Sequence, residues 1–186
     1  FQKFQIDYTN HITNFNNYLK ELVNTGTMNH ATELVEIPKL LISETRTSIQ
    51  FFDMIHNLRQ IDDPIFAHSL NVAMIARMLG KWLNFSEEDL DTLTLAAALH
   101  DVGKFLIPSD ILNKKEKLTD NEFALIKQHP VLGYDLLKEL NIDYHVKQAA
   151  LSHHERCDGS GYPLGLKTNE IDDHAMIISI ADVYDA

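Results

Sequence analysis

The chain has 186 residues, enough for one domain with a real core or a domain plus a small helical appendage, and its 45% apolar and 23% charged content is that of an ordinary globular protein. A net charge of -11 makes its surface a poor nonspecific partner for nucleic acid, whose affinity rests on Lys and Arg meeting phosphates, so DNA is not an expected partner. Cys157 is the single cysteine, which excludes an intrachain disulfide and fits a reducing compartment; no apolar run approaches the roughly 18 residues of a bilayer span, and no signal peptide is visible, so a cytoplasmic chain is expected.

The chain begins with Phe1 rather than Met, which reads as an excised or processed piece. Glycine and proline are sparse and no period-2 alternation appears, so the fold class expected is all-α. Tyr8, Ile12, Phe15, Leu19 and Leu22 form one apolar helical stripe that closes near Gly26. A second stripe joins Leu34, Ile37 and Leu41 to Phe52, Ile55 and Leu58, with a polar interruption at Thr45 and Ser48 and a start or kink at Pro38. Residues 1–60 thus read as an N-terminal helical hairpin. It either packs on the domain core or serves as a linker, dimerisation or signal-input element, with a homodimer as one outcome.

Asp62-Asp63-Pro64 reads as a helix start, an acidic cap followed by proline at the first helical position. The helix it opens carries His68 about one turn in. Ser86 caps a helix whose last part, Leu93 to Leu99, is apolar nearly all round and therefore central; it delivers His100-Asp101 at its end. Thr119 to Glu122 is a capping box, and the helix after it is expected to end at His129, since Pro130 disfavours helical geometry at the residue before it. A helix from about Asp143 leads to His153-His154, and a segment from about Asp172 ends in Asp182.

Five histidines and two aspartates therefore lie on or beside five different helices, several of them at helix ends: His68, His100, Asp101, His129, His153, His154 and Asp182. Imidazole and carboxylate together suit a divalent transition metal, and seven such groups suit two ions better than one. A carboxylate at the end of the apolar helix needs a partner, because a buried unpaired charge is costly; a metal is one and an arginine another. His11, His30, His56, His145 and His174 are read as structural or surface residues with no assigned role.

His100-Asp101-Val102-Gly103-Lys104, with Ile107-Pro108 following, resembles the signature of the HD superfamily of metal phosphohydrolases. His153-His154-Glu155-Arg156 with Asp158-Gly159-Ser160-Gly161-Tyr162-Pro163 resembles the HD-GYP subgroup, and the likeness runs from about Ile65 to Ala186. The resemblance implies an HD-type helical bundle over residues 61–186. It implies one metal on His68, His100, Asp101 and Asp182 and a second on Asp101, His129, His153 and His154, with Asp101 bridging. A hydroxide bridging the ions would attack phosphorus in line. The expected metals are Fe or Mn, with Zn, Ni or Mg as alternatives. Asp101 and Lys104 would be catalytic, Lys104 as a phosphate contact, and Gly161, Tyr162 and Pro163 would shape the substrate cleft. The substrate implied is cyclic di-GMP, opened to pGpG or cut onward to GMP.

Two departures modify that expectation. Some family members place a glutamate one turn before the first histidine to hold a third metal; here that position is Pro64, so two metals are expected. The family also continues past the Asp-Ala element with an arginine-containing segment, whereas this sequence stops at Ala186, which reads as a truncated substrate pocket with the activity of this chain in question. The rival expectations are an HD-type phosphohydrolase of another nucleotide or phosphate ester, and a regulatory or scaffold module that keeps the fold without turnover.

Overall fold

A computed structural model describes residues 2–58 and 64–186, with side chains outside 2–5, 57–58 and 64–66. Among the described residues every regular element is helical, apart from one isolated bridge between Asp158 and Lys167.

Helix α1 (Gln2–Thr25) buries Tyr8, Ile12, Phe15, Leu19 and Leu22, the stripe its spacing predicts. The second stripe belongs to two helices, α2 (Ala31–Ser43) and α3 (Ser48–Leu58). The polar interruption is a true break, because the backbone turns at Glu44 and Thr45 with hydrogen bonds back to Leu41 and Ile42. Pro38 neither starts nor ends α2; it lies inside the helix on its buried side.

Helix α4 (Pro64–Trp82) begins at the proline the sequence marks, while Asp62 and Asp63 lie outside the described residues. Helix α5 (Glu87–Leu99) starts where Ser86 accepts a hydrogen bond from the Asp89 backbone N–H. Its apolar end buries Leu93, Ala96, Ala97, Ala98 and Leu99 at the centre of the molecule. Arg77 joins α4 to α5 from a wholly buried stem, donating to Asp91 at 2.7 Å, Glu87 at 2.8 Å and Thr94 at 3.1 Å.

After α5 the chain tightens into a 3-10 turn (Val102–Leu106) and a short helix α6 (Ser109–Leu112). Helix α7 (Asp120–Ile126) carries the expected capping box between Thr119 and Glu122. It stops before His129, which instead opens α8 (His129–Leu137) with proline in its first turn. The expectation that a helix ends at His129 is thereby corrected. Proline lacks the N–H that a helix interior needs, and the first turn needs none, so Pro130 marks a start there.

Helix α9 (Tyr144–Ser152) is capped by Asp143 and ends at His153; α10 (Asp173–Asp185) is capped by Asp172. A single apolar cluster runs through α1, α2, α3, α4, α5, α8, α9 and α10. The polar ends of α5, α8 and α9 and two side faces, on α4 and α10, meet at one edge of it.

Candidate metal centre

Asp101 stands at the middle of the site, 2% exposed. Its two oxygens face different partners. Oδ1 lies 3.2 Å from His129 Nε2 and 3.5 Å from His153 Nε2. Oδ2 lies 3.4 Å from His100 Nε2 and 3.7 Å from His68 Nε2, and accepts from Lys104 Nζ. His68 Nε2 is also 2.9 Å from Asp182 Oδ1, and His154 Nδ1 is 4.0 Å from Asp182 Oδ2. All seven residues singled out by sequence converge.

Helix ends aim these rings. His100 Nδ1–H donates to Ala97 O at 2.6 Å and His129 Nδ1–H to Ile126 O at 2.7 Å. His153 Nδ1–H points at Ala149 O and Ala150 O, at 2.9 and 3.1 Å. Carbonyls near a helix C-terminus are short of backbone partners and have a lone pair to spare, so each takes a ring N–H, fixes the Nδ1–H tautomer and leaves an Nε2 lone pair directed at the centre. His129 and His153 then present Nε2 to Nε2 at 3.2 Å. Two lone pairs so placed repel unless a cation or proton lies between them. His100 Nε2 and Asp101 Oδ1 are buried with no hydrogen-bond partner. Donor type and orphaned atoms both fit a divalent metal. Within this centre two groups are close enough to hold one: Asp101, His129, His153 and His154, and His68, His100 and Asp101.

Burial opposes charge throughout, and the outcome differs between the two halves. Burial holds His153 down to about 4 and His154 to about 3, the latter aided by His153 and His129, so both rings are neutral at physiological pH. Burial would also lower His68, but hydrogen bonds to Asp182 and Asp185 outweigh it and push His68 up to about 9. Burial would raise Asp101, yet the neighbouring His100 ring and the Lys104 ammonium hold it well below the ordinary carboxylate range. Asp182 falls to about 2 because His68 and His100 overcome its burial.

Two glycines make the convergence sterically possible. A Cβ at Gly103 would sit 2.0 Å from His129 O, so the turn after Asp101 rests directly on the start of α8. A Cβ at Gly161 would meet Arg156 N at 2.4 Å and Glu155 Cα at 2.5 Å, so the Gly161-Tyr162-Pro163 loop folds back on the turn that bears His154. Tyr162 stacks on the His154 ring with centroids 4.8 Å apart, and Lys127 Nζ lies 5.0 Å from the Tyr162 ring centre.

Sequence reasoning gave no role to two residues here. Asp185 accepts from His68 Nδ1 at 2.8 Å and from Asn71 Nδ2 at 3.1 Å, and Tyr8 of α1 donates to Asn71 Oδ1 at 2.8 Å. The signal lay in the Asp182-to-Asp185 spacing, which places both carboxylates on one face of α10. Glu155, 4% exposed, accepts the backbone N–H groups of Leu164, Gly165 and Leu166 and so pins the glycine loop.

The HD-domain family model matches residues 30–186. The chain belongs to the HD-domain family. This HD domain is 35% identical over 158 residues to a cyclic di-GMP phosphodiesterase of Pseudomonas aeruginosa, covering 84% of the chain and 37% of that protein. It is 38% identical over 122 residues to a 3'3'-cGAMP-specific phosphodiesterase of Vibrio cholerae, covering 64% of the chain and 23% of that protein. The chain therefore spans well under half the length of the curated relatives it matches. Its fold is similar to that of an HDG"Y"P protein from Bdellovibrio bacteriovorus, with a TM-score of 0.78, 22% identity, and 94% and 58% of the two chains covered. No helix among the described residues is long and apolar enough to cross a membrane.

Proposed function

We propose that this HD domain is a metal-dependent phosphodiesterase that hydrolyses cyclic di-GMP to pGpG. The observation that carries the reading is Asp101, whose two oxygens face two different sets of imidazoles, with His129 and His153 turned lone pair to lone pair beside it. Asp101, His129, His153 and His154 would hold one divalent ion. His68, His100 and Asp182 would hold the other, with Asp101 shared. Iron or manganese fits this mixed set. Two such ions supply an activated water and neutralise charge on the phosphoryl oxygens.

The chain's own residues do the rest. Lys104 places an ammonium beside Asp101 at the mouth of the site, where a phosphate would meet it. Gly161, Tyr162 and Pro163 form one wall of that mouth. Burial, with the charges of Asp101 and Asp182, pushes the Tyr162 hydroxyl up to about 12, so it stays protonated and can donate to a phosphate or base edge. The overall charge of -11 repels an anionic substrate elsewhere, which leaves the metal centre as the attractive focus. A second messenger as substrate implies a cytoplasmic location. The N-terminal helices are the surface through which a homodimer or an upstream signal would act.

The named specificity of the Vibrio cholerae relative motivates a second reading, in which 3'3'-cGAMP is the preferred cyclic dinucleotide. Metal-loaded protein is assayed with cyclic di-GMP, 3'3'-cGAMP and a panel of nucleotides, with metal content measured on the same sample. The expected outcome is pGpG formation from cyclic di-GMP and its loss, together with both metals, in Asp101→Ala. Faster turnover of 3'3'-cGAMP selects the second reading. Activity confined to mononucleotides sinks both, and full metal occupancy with full turnover in Asp101→Ala sinks the assignment of the site.

A further inference from the structure

A second group of imidazoles lies between the starts of α9 and α10, away from the centre just described. Asp172 caps α10: its Oδ1 accepts from the backbone N–H of His174 at 2.9 Å and of Ala175 at 3.4 Å. Its Oδ2 accepts from His145 Nδ1 at 2.7 Å. The rings of His145 and His174 stack, with centroids 4.3 Å apart and planes 21° from parallel. Phe85 closes over His174 at 5.6 Å. One ligand atom from each of His145, Asp172 and His174 lies within 4.8 Å of the others.

Helix capping accounts for Asp172, and its ion pair with His145 accounts for that ring. Neither accounts for His174. It is 7% exposed, yet both its ring nitrogens are buried without a hydrogen-bond partner. An imidazole left in that state costs about 1–3 kcal/mol, a penalty that an apolar residue would avoid. A bound cation would satisfy one of the two nitrogens and so lift part of that penalty.

We propose that His145, Asp172 and His174 form a further divalent-metal site, taking zinc with water completing the shell. Two imidazoles and one carboxylate are a ligand set zinc accepts. Burial and the neighbouring His145 lower the pKa of His174, so its ring is neutral and its lone pair is available. The His145 side chain is 43% exposed and gives the ion a path from solvent. Asp172 holds the cap through Oδ1, and its Oδ2 meets His145 Nδ1 through a proton that the ion would replace. The ion would clamp the start of α9 to the start of α10. Between those points runs the segment that bears His153, His154, Glu155 and the Gly161-Tyr162-Pro163 loop. The site is therefore a structural clip on the wall of the metal centre, independent of whatever that centre hydrolyses.

The test is zinc content after equilibrium dialysis, for the parent chain, His145→Ala and His174→Leu, with folding checked by circular dichroism. Each substitution is expected to remove one zinc per chain and leave cyclic di-GMP turnover in place. His145→Ala, at a partly exposed position, covers the case in which His174→Leu disturbs packing. The same comparison is repeated in Asp101→Ala, where His145→Ala again removes one zinc and abolishes the rise in melting temperature that zinc produces. Parental stoichiometry in either single variant overturns the proposal. So does an Asp101→Ala protein whose zinc content and melting temperature are indifferent to His145→Ala.

Discussion

At the scale of the residue, the site is governed by which atoms are already committed. His153 and His154 are neutral at physiological pH and need lose nothing to bind a cation, whereas His68 is held as imidazolium between Asp182 and Asp185. In metal-stripped protein the His68 pKa of about 9 exceeds its unfolded value of about 6.5. Its contribution to stability is then fully present below about 6.5 and lost as pH rises through about 9. Thermal melts of stripped His68→Asn against stripped parent check this: the deficit in melting temperature is expected to be largest on the acid side and to close above that window. Metal uptake on the His68 side must also release a proton, so it is expected to tighten with pH more steeply than uptake at His129, His153 and His154, readable by calorimetry in buffers of different ionisation enthalpy. Most of the site residues are legible because histidine and aspartate at the ends of apolar helices have little else to do; His68 and Asp182, on the side faces of α4 and α10, are legible through the motif they complete. Asp185 and Glu155 are not, because an acidic residue in a helix or loop reads as solvated until the fold shows what it faces.

At the scale of the element, turn and cap chemistry decides where each ligand is delivered. The Thr119–Glu122 capping box was legible because both halves of it are local, and Thr119→Ala is expected to cost about 1 kcal/mol in a denaturant titration. The residue before a proline fits either a helix end or a helix start, so sequence alone puts His129 at the end of α7, and packing against Gly103 accompanies its true place at the start of α8. That packing is exacting. Gly103→Ala forces a Cβ onto the His129 carbonyl, and a cost of about 1–3 kcal/mol is expected together with loss of the one metal that His129 and Asp101 share, read as metal content per folded chain. The two halves of the second apolar stripe were read as one run because helical periodicity survived the break by chance, whereas the backbone hydrogen bonds did not.

At the scale of the molecule, composition allows one core or a core with a helical appendage, and the structure has a single apolar cluster; the route by which the first helix reaches the metal centre is not legible in sequence, since Tyr8 and Asn71 meet only through tertiary packing. The core also contains a charge. Arg77 is buried to its guanidinium, with its two carboxylate partners on the surface, so Arg77→Ala removes packing as well as two ion pairs. A loss of about 2–4 kcal/mol in stability with unchanged metal stoichiometry is expected, since none of its partners faces the site.

The hydrogen bonds from Tyr8 through Asn71 and Asp185 to His68 carry a consequence for how the two ends of the molecule sense each other. Free-energy coupling is reciprocal. If seating α1 steadies the His68 ring, then occupancy at that ring must hold α1 down with equal strength. Hydrogen exchange at the α1 amides is therefore expected to slow when metal is added, and Tyr8→Phe to erase that difference. The first helix would then report whether the metal centre is loaded.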